Sequence, residues 1–330
     1  MPQFDDVVEF YTGVANALTS GRVTLHSPLE EIALESCGDC FAYIDNRRDA
    51  KGKYSYDLWQ TIKNQFEGEE QFISWVKGKG INKSLLYSKS EQFPDFMFKV
   101  RKSSGKLTCG SLLELKDSRG GNIASFNSTL PTKCKSIEEI NIINGKNLVS
   151  RIASVLDGEL SSESNYYIFD RRCFYLIRTY ADRGDKIKIS IVDGSFFETV
   201  PKEHLIYQMF LRILRSHLEK DGTEMPPETL AQIENALSHV TDQTIIASSQ
   251  IIEGASVRPR LRIMAEVHTE GNPHSRFYPE ILERSLNFII GASLYEEEIA
   301  KRISRKVPDI KIFPILHRRN GKHIVFQFGF

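Results

Sequence analysis

The sequence lacks a net charge: 43 basic residues balance 43 acidic ones over 330 residues. That balance excludes a strongly basic, histone-like nucleic-acid binder, though not a chain with a local basic face. Cysteine is sparse and irregular, with five residues at 37, 40, 109, 134 and 173, so a disulfide framework is not expected. Apolar runs never approach the roughly 18–20 residues of a membrane helix. The acidic opening MPQFDDVVEF has neither the basic nor the apolar region of a signal peptide. Internal repeats, low-complexity tracts and Pro/Ser-rich linkers are absent as well. What is present is an ordinary core-forming composition, 41% apolar with 20 Phe and 12 Tyr. The expectation is a soluble, cytoplasmic globular protein of one large or two modest domains, with no membrane partner.

Several catalytic signatures are also missing. Lys77-Gly-Lys-Gly-Ile-Asn-Lys-Ser lacks the glycine spacing of a phosphate-binding loop, so no nucleotide cofactor is expected. GxGxxG, GxSxG and HExxH do not occur. Cys37-Gly-Asp-Cys40 is a single pair without a second pair or matching histidines, and reads as two helix cysteines rather than a zinc or redox site.

Neutrality hides an asymmetry. Residues 1–50 carry nine acids and three bases, whereas residues 299–330 carry eight bases and one acid. Such a split suggests an anionic partner or contact between the two regions, and a solvated basic face is the plainer alternative.

The first ninety residues read as helical. Ser27-Pro28 caps a helix with Leu29, Ile32, Ala33 and Ser36 on one face, and Leu58, Trp59, Ile62 and Phe66 to Val76 mark another. From Pro94 the period changes to two over Asp95–Arg101, and again over Leu107–Lys116 beyond a Ser-Ser-Gly turn. A polar loop spans about 117–135, and a helix opens at Ser136 and runs towards Gly158. Residues 165–180 and 186–192 read as strands, 202–240 as mostly helical, and 258–268 as a strand. Pro279 is expected to start a long helix to about Arg305, before a closing hairpin around Asn320-Gly321. The class is α/β (α+β), with a central mixed β-sheet flanked by helices.

The chemistry-bearing pattern is Pro94-Asp95 with Glu114-Leu115-Lys116. The letters are cheap, because Asp49/Lys51 and Asp309/Lys311 repeat the acid–lysine spacing and Pro308-Asp309 repeats the Pro-Asp pair. Geometry separates them. If residues 95–101 and 107–116 form a hairpin turning at Ser104-Gly105, opposed residue numbers sum to 209 and Asp95 faces Glu114. Lys116 shares that face by strand alternation, while Phe96, Phe98, Val100, Leu113 and Leu115 line the other. Asp309, reflected through Asn320-Gly321, pairs beyond the end of the chain. Opposed carboxylates repel unless neutralised, and oxygen-only donors suit Mg2+. Two carboxylates, a lysine and Mg2+ fit attack of water on a phosphodiester. The competing reading is a surface hairpin with a simple salt bridge.

Pro94-Asp95, an eighteen-residue gap and Glu114-Leu115-Lys116 at the end of an apolar strand resemble the PD-(D/E)xK nuclease motif. The order of elements is similar to that core, and the whole chain resembles type II restriction endonucleases. The resemblance implies a nuclease-like core at 91–200, a helical part at 1–90 packed on it, and DNA-binding and dimerisation elements at 201–330, within what could be a single domain. It further implies that Asp95 and Glu114 hold Mg2+, that Lys116 assists the attacking water, and that a homodimer cuts both strands of double-stranded DNA.

Candidate DNA contacts are Arg119, Asn122 and Asn127 in the polar loop, where Arg suits guanine and Asn adenine. Arg258, Arg260 and Arg262 leading to His274–Arg276, and the closing hairpin tip His317–His323, are candidate phosphate clamps. The pair Arg171–Arg172 and Arg178 read as strand-edge charges. One of Glu30, Glu31 and Glu35 could complete the metal shell. Three other readings stay open: a structure-specific repair or junction nuclease, a DNA-binding protein with a structural acidic cluster, and an RNA-processing nuclease.

Overall fold

The computed structural model describes residues 4–36, 41–45, 84–87, 93–98, 100–103, 106–118, 126–127, 131–136, 170–181, 186–197, 202–222, 225–239, 264–265 and 271–330. Helices α1 (Asp5–Thr19) and α2 (Leu29–Ser36) come first, then strands β1 (Phe41–Asp45), β2 (Ser84–Tyr87), β3 (Phe96–Phe98), β4 (Val100–Ser103), β5 (Lys106–Cys109) and β6 (Leu112–Ser118). Next are β7 (Phe126–Asn127), β8 (Cys134–Lys135), β9 (Arg171–Ala181) and β10 (Lys186–Asp193). Helices α3 (Lys202–Lys220) and α4 (Pro227–Ser238) precede β11 (Met264–Ala265), β12 (Ser285–Gly291), α5 (Glu297–Lys306), β13 (Lys311–His317) and β14 (Gly321–Gly329).

A mixed ten-stranded sheet organises these elements, in the order β13-β14-β12-β10-β9-β6-β3-β1-β2, with β8 added on β9. Pairs β6–β9, β10–β12 and β1–β2 are parallel, and the others antiparallel. The architecture is therefore α+β with a mixed central sheet. Strand β13 is an edge, which accommodates Pro314 without breaking a ladder.

Side-chain alternation gives the sheet two unlike faces. One carries Phe96, Phe98, Leu113, Phe174, Leu176, Ile189, Ile191, Phe288 and Phe326, all at most 2% exposed. Helices α1 and α2 cover it: Phe4 lies against Phe174 and Phe288, Phe10 against Phe98, and Tyr11 stacks on Phe288. The opposite face is mixed. Ser190, Asn287 and Gln327 stand side by side across β10, β12 and β14, and their side chains hydrogen-bond in a buried row. Burying them unpaired would cost ~1–3 kcal/mol each, which the row avoids. Lys188, in the same register set, donates to the Ile281 carbonyl at 3.1 Å and pairs with Glu283.

The acidic beginning and basic end do meet. Arg302 of α5 forms an ion pair with buried Asp5 of α1, and the Tyr11 hydroxyl donates to the Phe326 carbonyl at 3.2 Å.

Two expectations are overturned. The first ninety residues are not helical throughout: Phe41–Asp45 and Ser84–Tyr87 are strands, paired in parallel at one end of the central sheet, and runs of four or five residues are too short to reveal a period. Residues 279–305 are not one helix: Ser285–Gly291 is a strand buried at every position between β10 and β14, and only Glu297–Lys306 is helical. A strand covered on both faces loses the period-two alternation, so SLNFIIG offered no periodicity with which to choose. The expected helices at 58–76 and 136–157 and the Cys37/Cys40 pair lie outside the described residues.

Candidate active site

The motif hairpin forms in the expected register. Phe96 pairs with Leu113 and Met97 with Leu112 between β3 and β6, and Val100 pairs with Cys109 through Ser103 with Lys106 between β4 and β5. Every pair sums to 209. The ladder bends where Cys109 (φ 62) and Gly110 (φ 74) both take the left-handed conformation. Glycine does so freely, whereas Cys109 carries a strain of roughly 1–2 kcal/mol. Across the bend Phe98 N–H still donates to the Ser111 carbonyl at 2.9 Å, so the register is kept.

Asp95 and Glu114 consequently face each other. The Asp95 backbone N–H donates to Glu114 Oε2 at 3.3 Å, and the Leu115 N–H donates to Asp95 Oδ2 at 2.8 Å. Each acid thus engages backbone at or next to the other. Lys116 Nζ lies 2.9 Å from Glu114 Oε1, and the two side chains are 15% and 14% exposed. Burial, then the charge of Asp95, pushes the Glu114 carboxyl up to about 7, and Lys116 only partly offsets this. The site sets two carboxylates beside one ammonium, with Glu114 and Lys116 partly exposed.

Neighbouring strands frame it. Glu114 pairs with Tyr175 of β9 and Lys116 with Ile177. Tyr175 is 1% exposed, and burial drives its hydroxyl far above the ordinary tyrosine range. Behind the strand, Arg178 grips Asp117 with both Nε and Nη2 and donates from Nη1 to the Leu25 carbonyl, tying the ExK strand to the segment before α2.

Other candidates fall differently. Glu35 is paired with Arg22, and α2 packs through Leu29, Ile32 and Ala33 on the apolar side of the sheet, the side away from Glu114. Arg172 and Arg178 are not strand-edge charges. Arg172 binds Asp193 through two nitrogens; burial pulls its pKa down, but the bond and the charge of Asp193 together leave it raised, and Arg171 is wholly buried. The hairpin tip is likewise redistributed: His317 and His323 turn inward onto Phe196, at 4.8 and 5.0 Å, while Arg318, Arg319 and Lys322 face solvent. Backbone atoms of Asn127 pair with Met264, so the polar loop and the 258–268 segment are hydrogen-bonded neighbours in β7 and β11. Arg119, Asn122, Arg258 and Arg260 lie outside the described residues. Sequence reasoning missed Tyr175, Arg178 and Asp193 as framework, because their partners lie 21 to 153 residues away and no local pattern joins them.

Two hard oxygen donors that repel each other fit a divalent cation of the Mg2+ type, which takes few protein ligands and keeps waters. Among the described residues no third His, Cys, Asp or Glu joins them. No helix among the described residues is long and apolar enough to cross a membrane. The chain matches no family model, no curated protein and no solved structure.

Proposed function

We propose that this chain is a Mg2+-dependent endonuclease that hydrolyses phosphodiester bonds of double-stranded DNA at a specific sequence, in the manner of type II restriction endonucleases, and that it acts as a homodimer. One observation carries the reading: Asp95 and Glu114 are opposed across β3 and β6, locked by reciprocal backbone hydrogen bonds, with Lys116 2.9 Å from Glu114. A purely structural salt bridge needs one acid, and the second raises the Glu114 pKa without contributing to the pair.

Asp95 and Glu114 would hold the metal. When bound, Mg2+ supplies Lewis-acid polarisation of the phosphodiester and lowers the pKa of water. Lys116 orients the attacking water and offsets negative charge growing on the phosphate oxygens. The backbone bonds to both acids fix their oxygens before substrate arrives, so little reorganisation is needed. Exposed Arg318, Arg319 and Lys322 supply sequence-independent attraction to phosphates.

The test is incubation of purified protein with unmethylated plasmid and phage-sized DNA, with Mg2+ or with EDTA. Discrete bands that vanish with EDTA are expected. A smear turns the reading to a nonspecific or repair nuclease, and intact DNA under all conditions sinks it.

A further inference from the structure

Lys135 is a buried cation on the sheet face that carries Glu114 and Lys116. Lys135 pairs in register with Arg171, and Arg171 shares a face with Tyr175, the neighbour of Glu114. Lys135 is 1% exposed, and among the described residues its Nζ has no hydrogen-bond partner. An ammonium removed from water in this way is costly unless something compensates it. What faces it is the ring of Phe93, with Nζ 5.7 Å from the centroid, inside cation–π range. Phe93 is itself 5% exposed and stands two residues before Asp95.

The segment that delivers Lys135 also reaches the other acid's surroundings. A backbone hydrogen bond joins Thr132 to the Tyr175 hydroxyl. Gly194 makes room for this segment, since a Cβ there would lie 2.0 Å from the Thr132 carbonyl oxygen. Residues 132–135 thus contact Phe93 on the Asp95 side and Tyr175 on the Glu114 side. Full burial keeps the Lys135 ammonium from touching a DNA phosphate, and its charge excludes it as a metal ligand.

We propose, resting on the nuclease reading, that Lys135 is a positioning residue: its ammonium against the Phe93 ring fixes the Phe93-Pro94-Asp95 segment and with it the placement of the Asp95 carboxylate opposite Glu114. The role is indirect, and it predicts an effect on metal binding that disappears when Asp95 is already disabled.

Mn2+ is the probe, titrated calorimetrically into the metal-free full chain, with thermal melts to check folding. Lys135→Met weakens Mn2+ about tenfold, as for a group that orients a metal ligand. Lys135→Arg keeps a cation on the ring and stays within about twofold. Phe93→Leu reproduces the Met variant, which keeps the proposal testable if Lys135→Met fails to fold. In the Asp95→Asn background, Lys135→Met causes no further loss. Wild-type Mn2+ affinity in the Met variant, or additive losses in the double variant, overturns the positioning role. The two readings fail separately. Wild-type protein that shows this pattern and cuts no DNA defeats the nuclease reading alone. Protein that cuts DNA while Lys135→Met binds Mn2+ normally defeats the positioning role alone. No Mn2+ binding by the wild type defeats both.

Discussion

Two hairpins in this chain carry nearly the same letters, Pro94-Asp95 with Glu114-x-Lys116 and Pro308-Asp309-x-Lys311, and they do different things. In the first, pairs summing to 209 set Asp95 against Glu114. In the second, the pairs sum to 638, from Lys311 with Gln327 to His317 with Gly321, which would place Asp309 across from Gly329 rather than past the end of the chain. Asp309 precedes the strand, is exposed and sits at φ 57. One hairpin concentrates two acids on a partly buried face; the other spends its polar positions on solvent and its histidines on the core. Register, not composition, separates a candidate site from a coincidence.

That contrast can be broken most sharply by substitution. Asp95→Ala, Glu114→Ala and Lys116→Ala should each lower Mg2+-dependent cleavage by about 10^3-fold or more, whereas Asp309→Ala and Lys311→Ala stay within about twofold in the same plasmid assay. Equal losses at both hairpins would end the register argument. Next come the packing faces. Phe98, buried against Phe10, should lose about 3–5 kcal/mol on truncation to Ala in denaturant melts. Leu316 of the closing hairpin, 75% exposed, should lose no more than about 0.5 kcal/mol.

A third comparison uses pH. The Glu114 carboxyl is raised to about 7 in the fold, above its ordinary value, so its contribution to stability is complete below that ordinary value and is lost as pH rises through 7. The slope reaches at most ~1.4 kcal/mol per pH unit. Glu114→Gln should flatten this part of the stability–pH profile measured by melts between pH 4.5 and 8, while Asp309→Asn leaves it unchanged. Because a cation binds the carboxylate form, Mg2+ uptake near neutral pH should release protons, detectable as a buffer-dependent calorimetric heat. The smallest effect belongs to Arg318 and Arg319: replacing both with Ala should reduce the salt dependence of DNA binding by about two ions without changing the preferred site.

Much of this was legible from residue order, and the reasons are local. The 209 register followed from alternation and one turn, the α2 start from Ser27-Pro28, and the closing hairpin from Asn320-Gly321, though its turn is centred differently. The strands expected at 165–180 and 186–192 announced themselves through their apolar content and are found at Arg171–Ala181 and Lys186–Asp193. Ser285–Gly291 did not, because burial on both faces erased its period. The supports of the site were invisible for another reason. Arg178 meets Asp117 and Lys135 meets Phe93 only after β6, β8 and β9 are neighbours, and nothing in the intervening residues encodes those meetings.

The packing of α1 on Phe288 and Phe326 has a consequence for biosynthesis. The helix is made before the sheet, and part of the surface that buries its apolar side belongs to β12 and β14, which leave the ribosome nearly three hundred residues later. Until then Tyr11 has no Phe288 to stack on, although Phe98 for Phe10 and Phe174 for Phe4 are already made, and β10 lacks β12 on one side. The motif hairpin and its neighbour β9 are synthesised well before this closure, so a chain that stops short of β12 carries the candidate hairpin on a sheet still missing the strands that seat Tyr11.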